Sequence, residues 1–128
     1  MKEIQELTTR WLECLSKKDM PGILNLYRSD AALMPTLRDK IHKTPAEREN
    51  YFNFFLGFPN FHGIVQDQYS RCYGDFAINT GSYKFIYTQD QKDVEILARF
   101  TFSYKKEDGR WLIVDHHSSA FPEKSLSL

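Results

Sequence analysis

Ala98-Arg99-Phe100-Thr101-Phe102-Ser103-Tyr104, a turn over residues 105–109, and Arg110-Trp111-Leu112-Ile113-Val114-Asp115-His116-His117-Ser118-Ser119 form the stretch whose reading decides the fold. Apolar residues alternate along both arms, the period of a strand with two different faces, so the stretch reads as one long β-hairpin. Its polar residues are the informative ones. An arginine sits inside an apolar and hydroxyl arm, and Asp-His-His-Ser closes an arm that began Trp-Leu-Ile-Val. Ionisable groups in strands that line a core need partners or a task, because burying them alone is costly.

On the first arm Phe100, Phe102 and Tyr104 share one face, and Arg99, Thr101 and Ser103 share the other. If the aromatic face packs on helices, Arg99 faces solvent. If it packs on a second subunit, Arg99 points into a pocket. On the second arm Leu112, Val114, His116 and Ser118 alternate with Trp111, Ile113, Asp115 and His117. A two-residue turn places Arg99 with His116 and Ser118. A three-residue turn with Gly109 as a left-handed bulge places it with Asp115 and His117. Both sets are therefore candidates. In the functional reading Arg99 offers a planar fork to a carboxylate or carbonyl, and a histidine oriented by Asp115 transfers a proton near neutral pH. In the structural reading the same groups only satisfy one another. Tyr83, with Asn79 on the same strand face, is a further candidate for a hydroxyl in a pocket.

Upstream, residues 2–17 form an amphipathic helix pattern with Ile4, Leu7, Trp11, Leu12 and Leu15 on one stripe. Asp19 caps a short second helix with Pro21 in its first turn and Ile23, Leu24 and Tyr27 facing inward. Residues 31–34 are a short apolar run ended by Pro35, an edge strand. Thr44-Pro45-Ala46-Glu47 is a capping box that starts a third helix carrying Tyr51, Phe52 and Phe55, which ends near Gly57. Strand patterns then cover 63–73, 76–88, 94–104 and 110–119, with Gly74-Asp75 and Asp108-Gly109 as hairpin turns. Helices first and an antiparallel meander after them predict an α+β fold, helices on one face of a twisted sheet and a pocket between the layers. A single domain over residues 1–121 and a short tail over 122–128 are expected.

Bulk composition excludes several function classes. The chain has 128 residues, 17 basic and 17 acidic side chains, and so no basic excess to neutralise phosphates; no nucleic-acid partner is expected. No segment has the ~20 apolar residues of a membrane span, and the charged N-terminus lacks a signal-peptide pattern, so a cytoplasmic, membrane-free protein is expected. Cys14 and Cys72 read as small core fillers, not a disulfide. No CxxC, HxH or HxxxH spacing points to a metal, and no glycine-rich phosphate loop or Gly-x-Ser-x-Gly elbow is present. No metal and no cofactor is expected.

The run Arg99-Phe100-Thr101-Phe102 … Asp108-Gly109-Arg110-Trp111-Leu112-Ile113-Val114-Asp115-His116-His117-Ser118-Ser119 … Pro122 resembles the end of the association (hub) domain of calcium/calmodulin-dependent protein kinase II, and more closely its small stand-alone relatives (SgcJ/EcaC-like). Trp11, Leu26-Tyr27, Asp30-Ala31, Met34-Pro35-Thr36, Tyr51-Phe52 and Gly74-Asp75 stand upstream in the matching order. The resemblance implies a nuclear-transport-factor-2-like cone whose members pair through the outer sheet face. It implies that Phe100 and Phe102 are interface residues, and that Arg99 points into a pocket which in kinase hubs binds small carboxylates through several arginines. Tyr83 and Ser118 stand where two of those arginines would be. The expectation is a self-associating small-ligand domain, a homodimer or larger. Arg99 would anchor an acidic or carbonyl group, and Tyr83, His116 and Ser118, or Asp115 and His117, would line the pocket. Two alternatives stand beside it: a cofactor-independent isomerase, cyclase or dehydratase with His116 or His117 as base, and a pure oligomerisation module.

Overall fold

Three hairpins with minimal turns build most of the sheet. In the computed structural model, which describes residues 2–123, the strands are β1 (Tyr27–Met34), β2 (His62–Tyr73), β3 (Phe76–Gln89), β4 (Lys92–Glu107) and β5 (Arg110–Ala120). Residues 124–128 of the expected tail lie outside the described residues. The pairs Tyr73↔Phe76, Gln89↔Lys92 and Glu107↔Arg110 each enclose two residues. Gly74, Asp90, Gln91, Asp108 and Gly109 take positive φ there, which matches the twist of the flanking strands. The sheet order is β1-β5-β4-β3-β2. β1 lies at the edge, as Pro35 predicts, but it starts at Tyr27 and runs parallel to β5. Tyr27 is thus a strand residue, not part of the second helix.

The helices are α1 (Lys2–Ser16), α2 (Met20–Leu24) and α3 (Pro45–Phe55). Asp19 caps α2 by accepting from the Gly22 N–H, and Thr44 caps α3 by accepting from the Glu47 N–H at 3.1 Å. Glu47 reaches back to the Lys43 N–H at 2.9 Å, completing the box one residue early. No helix among the described residues is long and apolar enough to cross a membrane.

α1 lies against β2 and β3, and Trp11 on its buried stripe becomes the centre of the core. Its indole stacks on Tyr83 at 5.7 Å and meets Phe102 at 5.4 Å and His116 at 5.0 Å edge-on. The helix-facing side of β4 is the aromatic one. Phe100, Phe102 and Tyr104 are buried and Arg99 is exposed. This corrects the expectation that Phe100 and Phe102 form a subunit interface. The physical reason is apolar area: Phe102 packs on Trp11 while Phe100 and Tyr104 pack on Phe102, which buries all three without a partner. A further correction concerns Cys72, which is exposed; Cys14 is buried, and both are free.

β5 contains the feature that resolves the hairpin register. Its turn is the two-residue one, yet the pairing shifts between Ser103 and Tyr104: Tyr104 faces Ile113, and Ser103 faces Asp115. Val114 is the extra residue of a β-bulge. Trp111 and Ile113 are buried before it, His116 and Ser118 after it. Phe102 consequently faces His116 and Phe100 faces Ser118, while Arg99 faces Ser119.

Opposite faces predict opposite mutational costs. Phe102→Ala should remove about 3–5 kcal/mol of stability, because the side chain is fully enclosed. Arg99→Ala should change stability by less than about 0.5 kcal/mol. Urea unfolding of the two variants checks this, and similar values for both would mean that the faces are misassigned.

Candidate functional site

Six residues from five elements of the chain converge on one buried hydrogen-bond chain. Trp11 comes from α1, Tyr27 from the start of β1, Thr36 from the loop after β1, Tyr83 from β3, and His116 and Ser118 from β5. The Trp11 indole N–H donates to the Tyr27 hydroxyl at 3.0 Å. Tyr27 and His116 Nδ1 are 2.8 Å apart, and His116 Nε2 and the Tyr83 hydroxyl 3.2 Å. Tyr83 donates to Ser118 Oγ at 2.6 Å, and Ser118 Oγ meets Thr36 Oγ1.

The direction of this chain follows from one residue. Indole nitrogen can only donate. Tyr27 therefore accepts from Trp11 and gives its own proton to Nδ1. That leaves Nε2 as the protonated nitrogen, donating to Tyr83, which donates to Ser118, which donates to Thr36. Every member is satisfied only if His116 is neutral and in the Nε2–H form. The electrostatics agree. Burial, with a smaller push from His117, brings the His116 pKa down to about 3. Burial also raises the Tyr27 and Tyr83 hydroxyls above the usual phenol range, so both keep their protons.

The chain borders a cavity of about 10 Å³ lined by Trp11, Tyr83, His116, Ser118, Thr36 and the aromatic face of α3. That is room for about one water. Of the expected site residues, Tyr83, His116 and Ser118 meet here. Arg99 does not: it lies on the outer face with its guanidinium 5.8 Å from the Phe121 ring centroid. Asp115 and His117 are exposed on that same outer face, one facing Ser103 and the other Thr101. The Asp115–histidine pair imagined from sequence is therefore split by the pleat.

Two parts of the site were not singled out from sequence. One is the donor role of Trp11 and Tyr27, whose polar tips needed partners once their rings were assigned inward. The other is Arg48. It is buried on α3 and donates to the carbonyls of Ala31 (2.7 Å), Arg28 and Ser29 (both 3.1 Å), where β1 leaves its pairing with β5. Its signal was spacing: Arg48, Tyr51, Phe52 and Phe55 form one helical stripe. Among the described residues no group of three or more His, Cys, Asp or Glu is placed to hold a metal ion.

The neutral His116 makes stability depend on pH. The unfolded chain takes up a proton near pH 6.5, and the folded chain does not until about pH 3. Stability therefore falls as pH drops from about 6.5 toward 3, by up to about 1.4 kcal/mol per pH unit for this group. His42, buried with its pKa lowered chiefly by burial, adds in the same direction. Urea unfolding between pH 4 and 7 should show a slope shallower by about one proton in His116→Gln than in wild type. Equal slopes would mean that His116 is protonated in the fold.

The comparisons with known proteins agree with this architecture. The family model for the calcium/calmodulin dependent protein kinase II association domain matches residues 1–122. A candidate association-domain protein of that family from Xanthomonas campestris is 35% identical. It aligns over 95% of this chain and 88% of its own, with a TM-score of 0.88. A nuclear transport factor 2-like superfamily protein from Salmonella enterica aligns over 98% of this chain and 93% of its own, at 17% identity and a TM-score of 0.86. A candidate dehydratase of the NTF2-like family from Streptomyces avermitilis aligns over 94% and 96%, at 13% identity and a TM-score of 0.83. At those last two identities the likeness speaks to the fold alone. No curated protein sequence matches the chain. The chain belongs to the calcium/calmodulin-dependent protein kinase II association domain family and has the NTF2-like fold of helices laid on a five-stranded, mostly antiparallel sheet.

Proposed function

We propose that this chain is a self-associating domain that pairs through the outer face of its sheet. The observation that carries the reading is the composition of that face. Ile64, Tyr69, Tyr73, Phe76 and Leu97 are large apolar side chains left exposed on it. Between them Thr80 faces Thr101, and Ser82 faces Arg99, which faces Ser119; Arg71, bonded to Thr80, and the Lys84–Glu95 ion pair share the face. Five large apolar side chains left exposed on one sheet face form the kind of surface that packs against a second sheet. The family's association-domain name supports the same reading.

A second reading, ligand binding inside the cone, is favoured by the polar chain that ends on a hydroxyl beside the cavity. Its anchor is not Arg99, which lies on the other side of the sheet. Acid/base catalysis gains no such support. Both nitrogens of His116 are engaged, and its one protonated nitrogen already donates to Tyr83. A general base needs a free lone pair aimed at substrate.

Sedimentation of wild type and Leu97→Glu tests self-association. Wild type should be a dimer or larger at micromolar concentration. The variant should associate about 100-fold more weakly or worse, with unchanged far-UV circular dichroism, because the new carboxylate is desolvated in the interface. A monomeric wild type overturns the proposal.

A further inference from the structure

The interior cavity and the loop over it carry an inference that rests on the second reading above. The hydrogen-bond chain has a polarity. It begins at an indole that only donates, and with Tyr83 donating to Ser118 the Ser118 proton finds its acceptor by pointing outward to Thr36. In the closed form Thr36 Oγ1 receives that proton. Whatever displaces Thr36 must therefore bring an acceptor. It must also be uncharged. No lysine or arginine lines the cavity, and a carboxylate there would be buried without a counter-ion. The remaining walls, Tyr51, Phe52, Phe55 and Phe85, are aromatic.

Thr36 also stands between the cavity and solvent. It borders the cavity on one side and, on the other, an open hollow of about 610 Å³ formed with Leu37, Arg38, Asp39 and Lys40. The loop that carries it is tied at its ends by backbone bonds and between them by side chains, among them the buried Tyr51 hydroxyl, which accepts from the Leu37 backbone. Leu33 and His42 exchange two backbone hydrogen bonds of 2.9 and 2.8 Å, and the His42 side chain is buried. Between these anchors the loop is latched by Arg38, which donates to Asn50 at 3.0 Å and lies over the Tyr51 and Phe54 rings at 5.7 and 5.3 Å. Such half-exposed contacts are weak and open readily.

We propose that residues 36–41 are a lid, latched by Arg38, over an interior site that takes a small uncharged carbonyl compound on the Ser118 hydroxyl.

Two measurements test it, and sedimentation decides self-association independently of both. The first is a thermal-shift comparison of benzamide and benzoate, which match in shape and differ in charge. Wild type should be stabilised by benzamide and not by benzoate, and Ser118→Ala should lose the benzamide shift. Equal stabilisation by benzoate, or none by benzamide, overturns the ligand class without requiring any variant to fold. The second uses Trp111→Phe, which leaves Trp11 as the sole tryptophan. Its quenching by acrylamide should rise about threefold when Arg38→Ala is added, as loss of one weak latch implies. Unchanged quenching overturns the lid.

Discussion

One inserted residue governs what the interior of this protein can be. Val114 lets β5 bury Trp111 and Ile113 on one side of the bulge and His116 and Ser118 on the other, while β4 keeps strict alternation. Without that extra residue the pleat would carry Asp115 and His117 inward against Phe102 and Phe100. An aspartate there would be a buried charge with no arginine or lysine lining the cavity to meet it. The bulge thus exchanges a charged interior for a neutral one, a use to which bulges near functional sites are well suited.

The neutral interior is then organised by Trp11. Its ring is the packing centre, in contact with Phe52, Tyr83, Phe85, Phe102 and His116. Its single N–H also orders the protons of every polar group from Tyr27 to Thr36. A chain in which each hydroxyl both accepts and donates leaves no member unpaired, which is what makes so polar a core tolerable. The same arrangement favours one tautomer of His116. Arg48 plays a parallel part at the edge of the sheet, where it supplies donors to carbonyls that β5 does not reach.

The two faces of the sheet differ in chemistry. Aromatics and neutral hydroxyls face the helices, and the charged residues Arg99, Asp115 and His117 face out among small hydroxyl and apolar side chains. An anion site would need arginines inside, and Tyr83 and Ser118 stand in the cone where the family resemblance led one to expect them.

Local signals determined much of this fold. The caps at Asp19 and Thr44, the stripe through Trp11, the Gly74-Asp75 turn and the period of the final hairpin are written in nearest-neighbour chemistry, and each was legible in the chain. The family resemblance was legible too, in the run from Arg99 to Ser119. Which face of β4 turns inward was not legible, because Phe100 and Phe102 fit a core and an interface equally well until Trp11 is seen to lie against Phe102 and Tyr83 against Phe100. Nor was the choice between His116 and His117, because a bulge leaves no mark in a run of Trp-Leu-Ile-Val that suits either register. The parallel pairing of β1 with β5 and the donor chain through Tyr27 join residues about 80 to 90 positions apart. Only tertiary packing decides such contacts, since their energy comes from partners that no local pattern names.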